Sequence, residues 1–72
     1  MSMLKVIEVL AESEKSFEDA AKVAVQTAAK SVHNIKSIYI SDMTATVDGS
    51  AITKYRVNGK ISFVLDDSSS AG

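Results

Sequence analysis

Few side chains in this 72-residue sequence have the types and spacing needed for chemistry. The single histidine, His33, has no nucleophile and orienting acid arranged as a Ser-His-Asp triad requires. It falls at the end of a helical stretch, where a cation suits the helix dipole. Gly49, Gly59 and Gly72 are too far apart to form a phosphate-cradling loop. An enzyme is therefore not expected. The acids pose a metal question. Asp42, Asp48 and the pair Asp66-Asp67 carry hard oxygen donors suited to calcium or magnesium, although no EF-hand pattern is present. Asp48 is explained by a turn, and the Asp66-Asp67 pair by solvation. Asp42 stands inside a strand, where Asp is disfavoured, and is the metal-ligand candidate. Any such site needs oxygens from another chain. Lys54, Arg56 and Lys60 form a basic line on one strand face. A nucleic-acid platform would place aromatics on that same face, whereas Tyr55 and Phe63 have the opposite parity, so no nucleic-acid partner is expected. Subunit contact, ligand contact and solvation remain open for this line.

These candidates must be positioned by a small set of elements. Lys54–Leu65 alternates strictly, with Tyr55, Val57, Gly59, Ile61, Phe63 and Leu65 on one face and Lys54, Arg56, Asn58, Lys60 and Ser62 on the other. It reads as the central strand of a sheet. Met3–Ala11 is a strand with two largely apolar faces, Leu4, Val6 and Leu10 on one side and Ile7 and Val9 on the other, as expected of a strand covered on both sides. Glu12–Lys15 reads as a polar connection. Ser16 is a helix N-cap, followed by Glu18 and Asp19 near the positive helix end. Phe17, Ala20, Ala21, Ala24, Ala28, Val32 and Ile35 then fall on one helical stripe, Lys30 and His33 occupy the last turn, and Asn34 takes the left-handed stop. Ile35–Val47 is a second strand, long enough that a bulge or an extension towards a neighbour is expected. Alternation places Lys36, Ile38 and Ile40 on one face and Ser37, Tyr39, Ser41, Met43, Ala45 and Val47 on the other. Asp48-Gly49 closes a hairpin. The fold class is α+β: a β-α-β-β chain whose three-stranded antiparallel sheet, in order 1-3-2, packs on one helix. Gly59 is expected to let the Ala-rich helix, or another backbone, come close. Residues 1–66 form a single domain, and 67–72 a flexible tail.

Size and composition bound the assembly. A domain this short buries only about 60% of its unfolded surface, and such chains lean on disulfides, metals or partners. The sequence contains no Cys, which removes disulfides and leaves oligomerisation as the staple. A net charge of −1 argues against long-range attraction to nucleic acid or anionic membrane, and no apolar run reaches membrane-spanning length. Met1–Leu10 contains Lys5 and Glu8 and lacks the apolar core of a signal peptide, so a cytoplasmic protein is expected.

The opening MLKVIEVLAES, the segment SFEDAAKVAVQTAAKSVHNIKS and the closing YRVNGKISFVLD together resemble the dodecin family over Met3–Leu65. The resemblance implies a hollow homododecamer that binds riboflavin-type flavins stacked in pairs at subunit contacts. Three positions of the family's flavin pattern can be placed. Ser37 stands where the stacking Trp is expected, Arg56 stands where a ring-binding Gln is expected, and an acid is kept as Asp42. The expectation is a storage or sequestration shell with ordinary flavin binding lost, its ligand a flavin relative or another small molecule. The alternatives are a shell that binds calcium through carboxylates and a purely structural assembly. The ligand-binding candidates by family position are thus Ser37, Asp42 and Arg56.

Overall fold

The computed structural model describes residues 3–65; the tail expected at 67–72, and the domain limit at 66, lie outside the described residues. The chain runs β1 (Met3–Ser13), α1 (Phe17–Ala28), β2 (Ile35–Asp48) and β3 (Ala51–Leu65). Its three-stranded sheet has the order β1-β3-β2, with both neighbours antiparallel to β3. The central strand is the one whose alternation is cleanest. Val57 and Ile61 on its inner face are 1% and 0% exposed.

The helix is set by its ends. Ser16 has extended backbone angles, and its hydroxyl accepts the Asp19 backbone N–H at 2.9 Å. Ser13, the last residue of β1, is buried and donates its hydroxyl to Asp19 Oδ2 at 2.6 Å while accepting the Lys15 N–H. The connection from strand to helix is therefore tied at both ends. Ala20, Ala24 and Ala28 form the buried stripe, and Ala11, Ala20, Ala24 and Val57 make a core cluster flanked by Val9, Phe17, Val23, Ile38 and Ile40. Methyl-sized side chains let the helix lie close on the sheet, so this core holds few large residues. Phe17 meets Tyr55 edge-on, with ring centroids 5.0 Å apart.

Several local expectations change. The helix stops at Ala28, earlier than the apolar stripe suggests, because the Lys30 and Ser31 N–H groups bond to the Thr27 and Ala28 carbonyls three residues back. Lys30 and His33 consequently lie beyond the helix, not in its last turn. Asn34 does take a positive φ of 62° and turns the chain into β2, where its carbonyl accepts the Val64 N–H. β1 extends through Glu12 and Ser13, which pair with Arg56 and Tyr55; the polar connection begins only after them. The hairpin turn is Gly49-Ser50, closed by Asp48 opposite Ala51, with Gly49 supplying φ 65°. At Gly59 the space a side chain would need is filled by Ile38 of β2, not by the helix.

One more change bears on the site. β2 carries register shifts between Ile35 and Ser37, Ile40 and Asp42, and Thr46 and Val47. The first two add Lys36 and Ser41 to β2 and the third adds Thr53 to β3, and each added residue reverses its own strand's alternation beyond it. Ser41 is the extra residue of the second shift, so Asp42 and Thr44 join the face of Ser37 and Tyr39, while Met43 and Ala45 pass to the face of Ile38 and Ile40. Simple alternation had these reversed. The hairpin overhangs both β1 and the helix, giving a chain 57 Å long and only 19 Å by 13 Å across. Val47 and Ile52 are exposed along this overhang.

Candidate functional site

The helix covers one face of the sheet, leaving the other uncovered by the described chain. The uncovered face can be read strand by strand from the registers. Leu4, Val6, Glu8, Leu10 and Glu12 of β1 stand opposite Val64, Ser62, Lys60, Asn58 and Arg56 of β3. On the far side of β3, Ser37, Tyr39, Asp42, Thr44 and Thr46 of β2 stand opposite Ser62, Lys60, Asn58, Arg56 and Lys54. Four large apolar or aromatic side chains lie open among these polar ones: Leu4, Val6, Leu10 and Tyr39 are 62%, 53%, 59% and 65% exposed.

Ser37, Asp42 and Arg56 therefore share this face, but they are not neighbours. Ser37 pairs with Ser62, six residues from Arg56 along β3, which is about 20 Å at strand rise. Asp42 pairs with Asn58 and is the diagonal neighbour of Arg56, roughly 7–8 Å away. Each candidate has a defined local environment. The Ser37 and Ser62 hydroxyls hydrogen-bond to each other across the strands. The Ser41 hydroxyl at the bulge donates to the Asn58 carbonyl at 3.2 Å, beside Asp42.

Arg56 is engaged within its own chain. Its Nε and Nη2 donate to Glu12 Oε2 at 2.9 and 2.6 Å. The hydrogen bond from Arg56, then its charge, and more weakly the charge of Lys54, hold the Glu12 carboxyl below its ordinary 4.5. Sequence reasoning missed Glu12 as the partner of Arg56. A signal was present: acids at 8 and 12 on β1 and cations at 60 and 56 on β3 have equal spacing and matching parity.

The site can be tested against two ligands. The family resemblance expects a stacking ring at the position of Ser37 and a ring-binding amide at that of Arg56. A hydroxymethyl group bound to another hydroxyl offers no stacking surface, and a guanidinium has donors only. Neither side chain supplies what that expectation asks. For a hard cation the Asp42 carboxylate and the Asn58 amide oxygen opposite are suitable donors. Among the described residues no three His, Cys, Asp or Glu side chains gather in one place, so one chain's described residues supply only part of a coordination sphere.

The described residues thus form a short β-α-β-β chain with one covered sheet face and a half-apolar second face. The chain belongs to the dodecin family, whose profile matches residues 3–66. Calcium dodecin of Mycobacterium tuberculosis is 36% identical over 65 residues, covering 90% of this chain and 92% of that protein. Its crystal structure, described as a calcium-chelating antigen with a novel calcium-binding site, matches with a TM-score of 0.77 at 33% identity, covering 92% and 94% of the two chains. A point mutant of Thermus thermophilus dodecin shares the fold at a TM-score of 0.87 and 21% identity, covering 92% of this chain and 98% of that one. No helix among the described residues is long and apolar enough to cross a membrane.

Proposed function

We propose that this chain is the subunit of a dodecin-type shell of twelve copies that binds calcium through carboxylates gathered between subunits, in place of flavin. The observation that carries the ligand choice lies on the uncovered sheet face. Where flavin recognition needs a ring and an amide, the face has a serine hydroxyl pair and an arginine spent on Glu12. The similarity to calcium dodecin supports the cation. Asp42 supplies a carboxylate with the Asn58 amide opposite, and the remaining oxygens come from other copies. A cysteine-free sequence suits the cytoplasm.

A second reading is storage of a flavin relative or another planar small molecule. Tyr39 favours it, being 65% exposed on the same face and two residues from Ser37. Native mass spectrometry with calorimetry separates the two readings. The calcium reading expects a twelve-chain species with stoichiometric calcium retained through gel filtration, and riboflavin fluorescence unquenched by the protein. A calcium-free protein that quenches riboflavin refutes it, and a single-chain species refutes the shell.

A further inference from the structure

We propose that the hairpin turn is a self-modifying site, where Asp48 closes on the Gly49 nitrogen to a succinimide that reopens as isoaspartate. The fold shields Asn58-Gly59, the second dipeptide able to do this, and so reverses the order in which an unfolded chain reacts. The proposal stands apart from the ligand reading above.

Succinimide formation needs a side-chain carbonyl one methylene from the backbone and a following peptide nitrogen free to attack it. It is easiest when the next residue has no side chain to obstruct the approach. Asp48-Gly49 and Asn58-Gly59 both meet that condition. At Asp48 the Gly49 nitrogen bonds to the carboxyl carbon and water leaves. At Asn58 the same attack by the Gly59 nitrogen expels ammonia. Water then opens either ring at one of its two carbonyls, giving aspartate or isoaspartate, so the balance needs water alone. In an unstructured chain the Asn-Gly pair reacts faster, because an ionised carboxylate is a poor electrophile.

Backbone freedom separates the two sites in the fold. Attack requires the Asp or Asn to rotate ψ out of the extended range, so that the next nitrogen swings towards its side chain. Asp48 is exposed and is the last residue of β2, at the far end of the overhang. Gly49 has φ 65° and Ser50 no positive φ, which makes Gly49-Ser50 a type II′ turn. Its closing bonds join Asp48 and Ala51, leaving the Gly49 N–H outside the ladder. A Cβ at Gly49 would meet nothing within 4 Å, so the space around it is open. Asn58-Gly59 is the reverse case. Asn58 pairs with Leu10 and Asp42, and Gly59 with Val9 and Ile40, so rotation here disturbs the ladders on both sides. Gly59 is buried, with Ile38 and the Tyr39 carbonyl 3.2 Å from where a Cβ would stand. Reaction there waits for local opening of the central strand. The Asn58 amide opposite Asp42 is thereby kept, while the turn acquires a main chain one carbon longer.

Ageing the parent protein in heavy-oxygen water at physiological pH and temperature, once folded and once in guanidinium, tests both halves. Trypsin then places the two sites on separate peptides, 37–54 and 57–60. Each passage through the succinimide leaves a heavy oxygen at Asp48, whichever way the ring reopens, and electron-transfer fragmentation locates the isoaspartyl linkage. Folded protein should gain label and isoaspartate at Asp48 while Asn58 keeps its amide. In guanidinium Asn58 should react first, at least about tenfold faster than in the fold, a factor that corresponds to roughly 1.4 kcal/mol of opening free energy. Asp48→Glu keeps the acid but cannot close a five-membered ring, and should abolish label in peptide 37–54. Folded protein that takes up no label at Asp48, or that loses the Asn58 amide first, overturns the proposal. So does label that survives Asp48→Glu, or an Asn58 rate that unfolding leaves unchanged.

Discussion

Substituting Gly59→Ala tests how tightly the middle of the sheet is built. A Cβ placed there lies 3.2 Å from both Ile38 Cγ1 and Cδ1, and 3.2 Å from the Tyr39 carbonyl oxygen. Carbon atoms prefer about 3.5–4.0 Å, so the neighbours must give way by a few tenths of an ångström. Ile38 is half-buried against the core cluster, so moving it disturbs those contacts. The Tyr39 carbonyl belongs to strand backbone and has less freedom still. Overpacking of this kind destabilises by about 1–3 kcal/mol. Replacing a strand glycine recovers roughly 0.5–1 kcal/mol of chain entropy. The net expectation is a loss of about 1 kcal/mol, or about 4–8 °C in melting temperature for a domain of this size. Urea denaturation at one fixed subunit concentration measures it, since association shifts apparent stability. Ile38→Val removes one of the two close carbons. Alone it destabilises by about 0.5–1.5 kcal/mol, but in the Gly59→Ala background its effect should shrink by about 0.5 kcal/mol or more. Parent-like stability of Gly59→Ala, or strict additivity in the double variant, refutes the account.

The caps, the charges and the ligand positions give further expected outcomes. Ser16→Ala removes the acceptor for the Asp19 N–H and should destabilise by about 1 kcal/mol in the same denaturation assay. Because the Glu12 carboxyl is held below its ordinary 4.5 in the folded chain, its ion pair stabilises fully above the unfolded value. That contribution is lost as pH falls through the folded one. In Arg56→Gln, carboxyl-detected NMR titration should find Glu12 moved back upward, with the acid side of the stability profile flattened. Combining Ser37→Trp with Arg56→Gln supplies the missing ring and amide. Stacking contributes about 1–3 kcal/mol per contact, so riboflavin should bind about 5- to 150-fold more tightly than to the parent. Fluorescence quenching by the folded variant is the measure, and unchanged quenching counts against the placement of these two residues.

How far the sequence could be read depended on whether local pattern and local geometry agreed. The alternation of Lys54–Leu65 in β3 survives because Val57 and Ile61 are pinned under the helix and the strand has a neighbour on each side. The N-cap at Ser16 and the left-handed Asn34 are short-range stereochemistry and were readable for that reason. Strand order came from connectivity alone. In β2 the pattern misled, since a bulge leaves no fixed residue signature and each added residue inverts the facing of the next stretch of strand. Asp42 stands out by its residue type, yet the face it occupies depends on the extra residue Ser41. Helix length was over-read, because Val32 and Ile35 continue the apolar stripe after the backbone has tightened and turned. Glu12 looked like loop because its cross-strand partner lies 44 residues away.

The overhanging hairpin sets a clock on the newly made chain. Val47 and Ile52 are more than half exposed on a slender arm closed by a two-residue turn. Such an arm can form early, since a hairpin closes in about 1–10 μs, well before a second molecule arrives by diffusion. During that interval the arm meets correct and incorrect apolar surfaces alike, at rates proportional to their concentrations. Expression level and crowding by unrelated chains therefore bear on the yield of properly joined molecules. Two versions of this protein with equal folded stability can differ in recoverable yield through the arm alone.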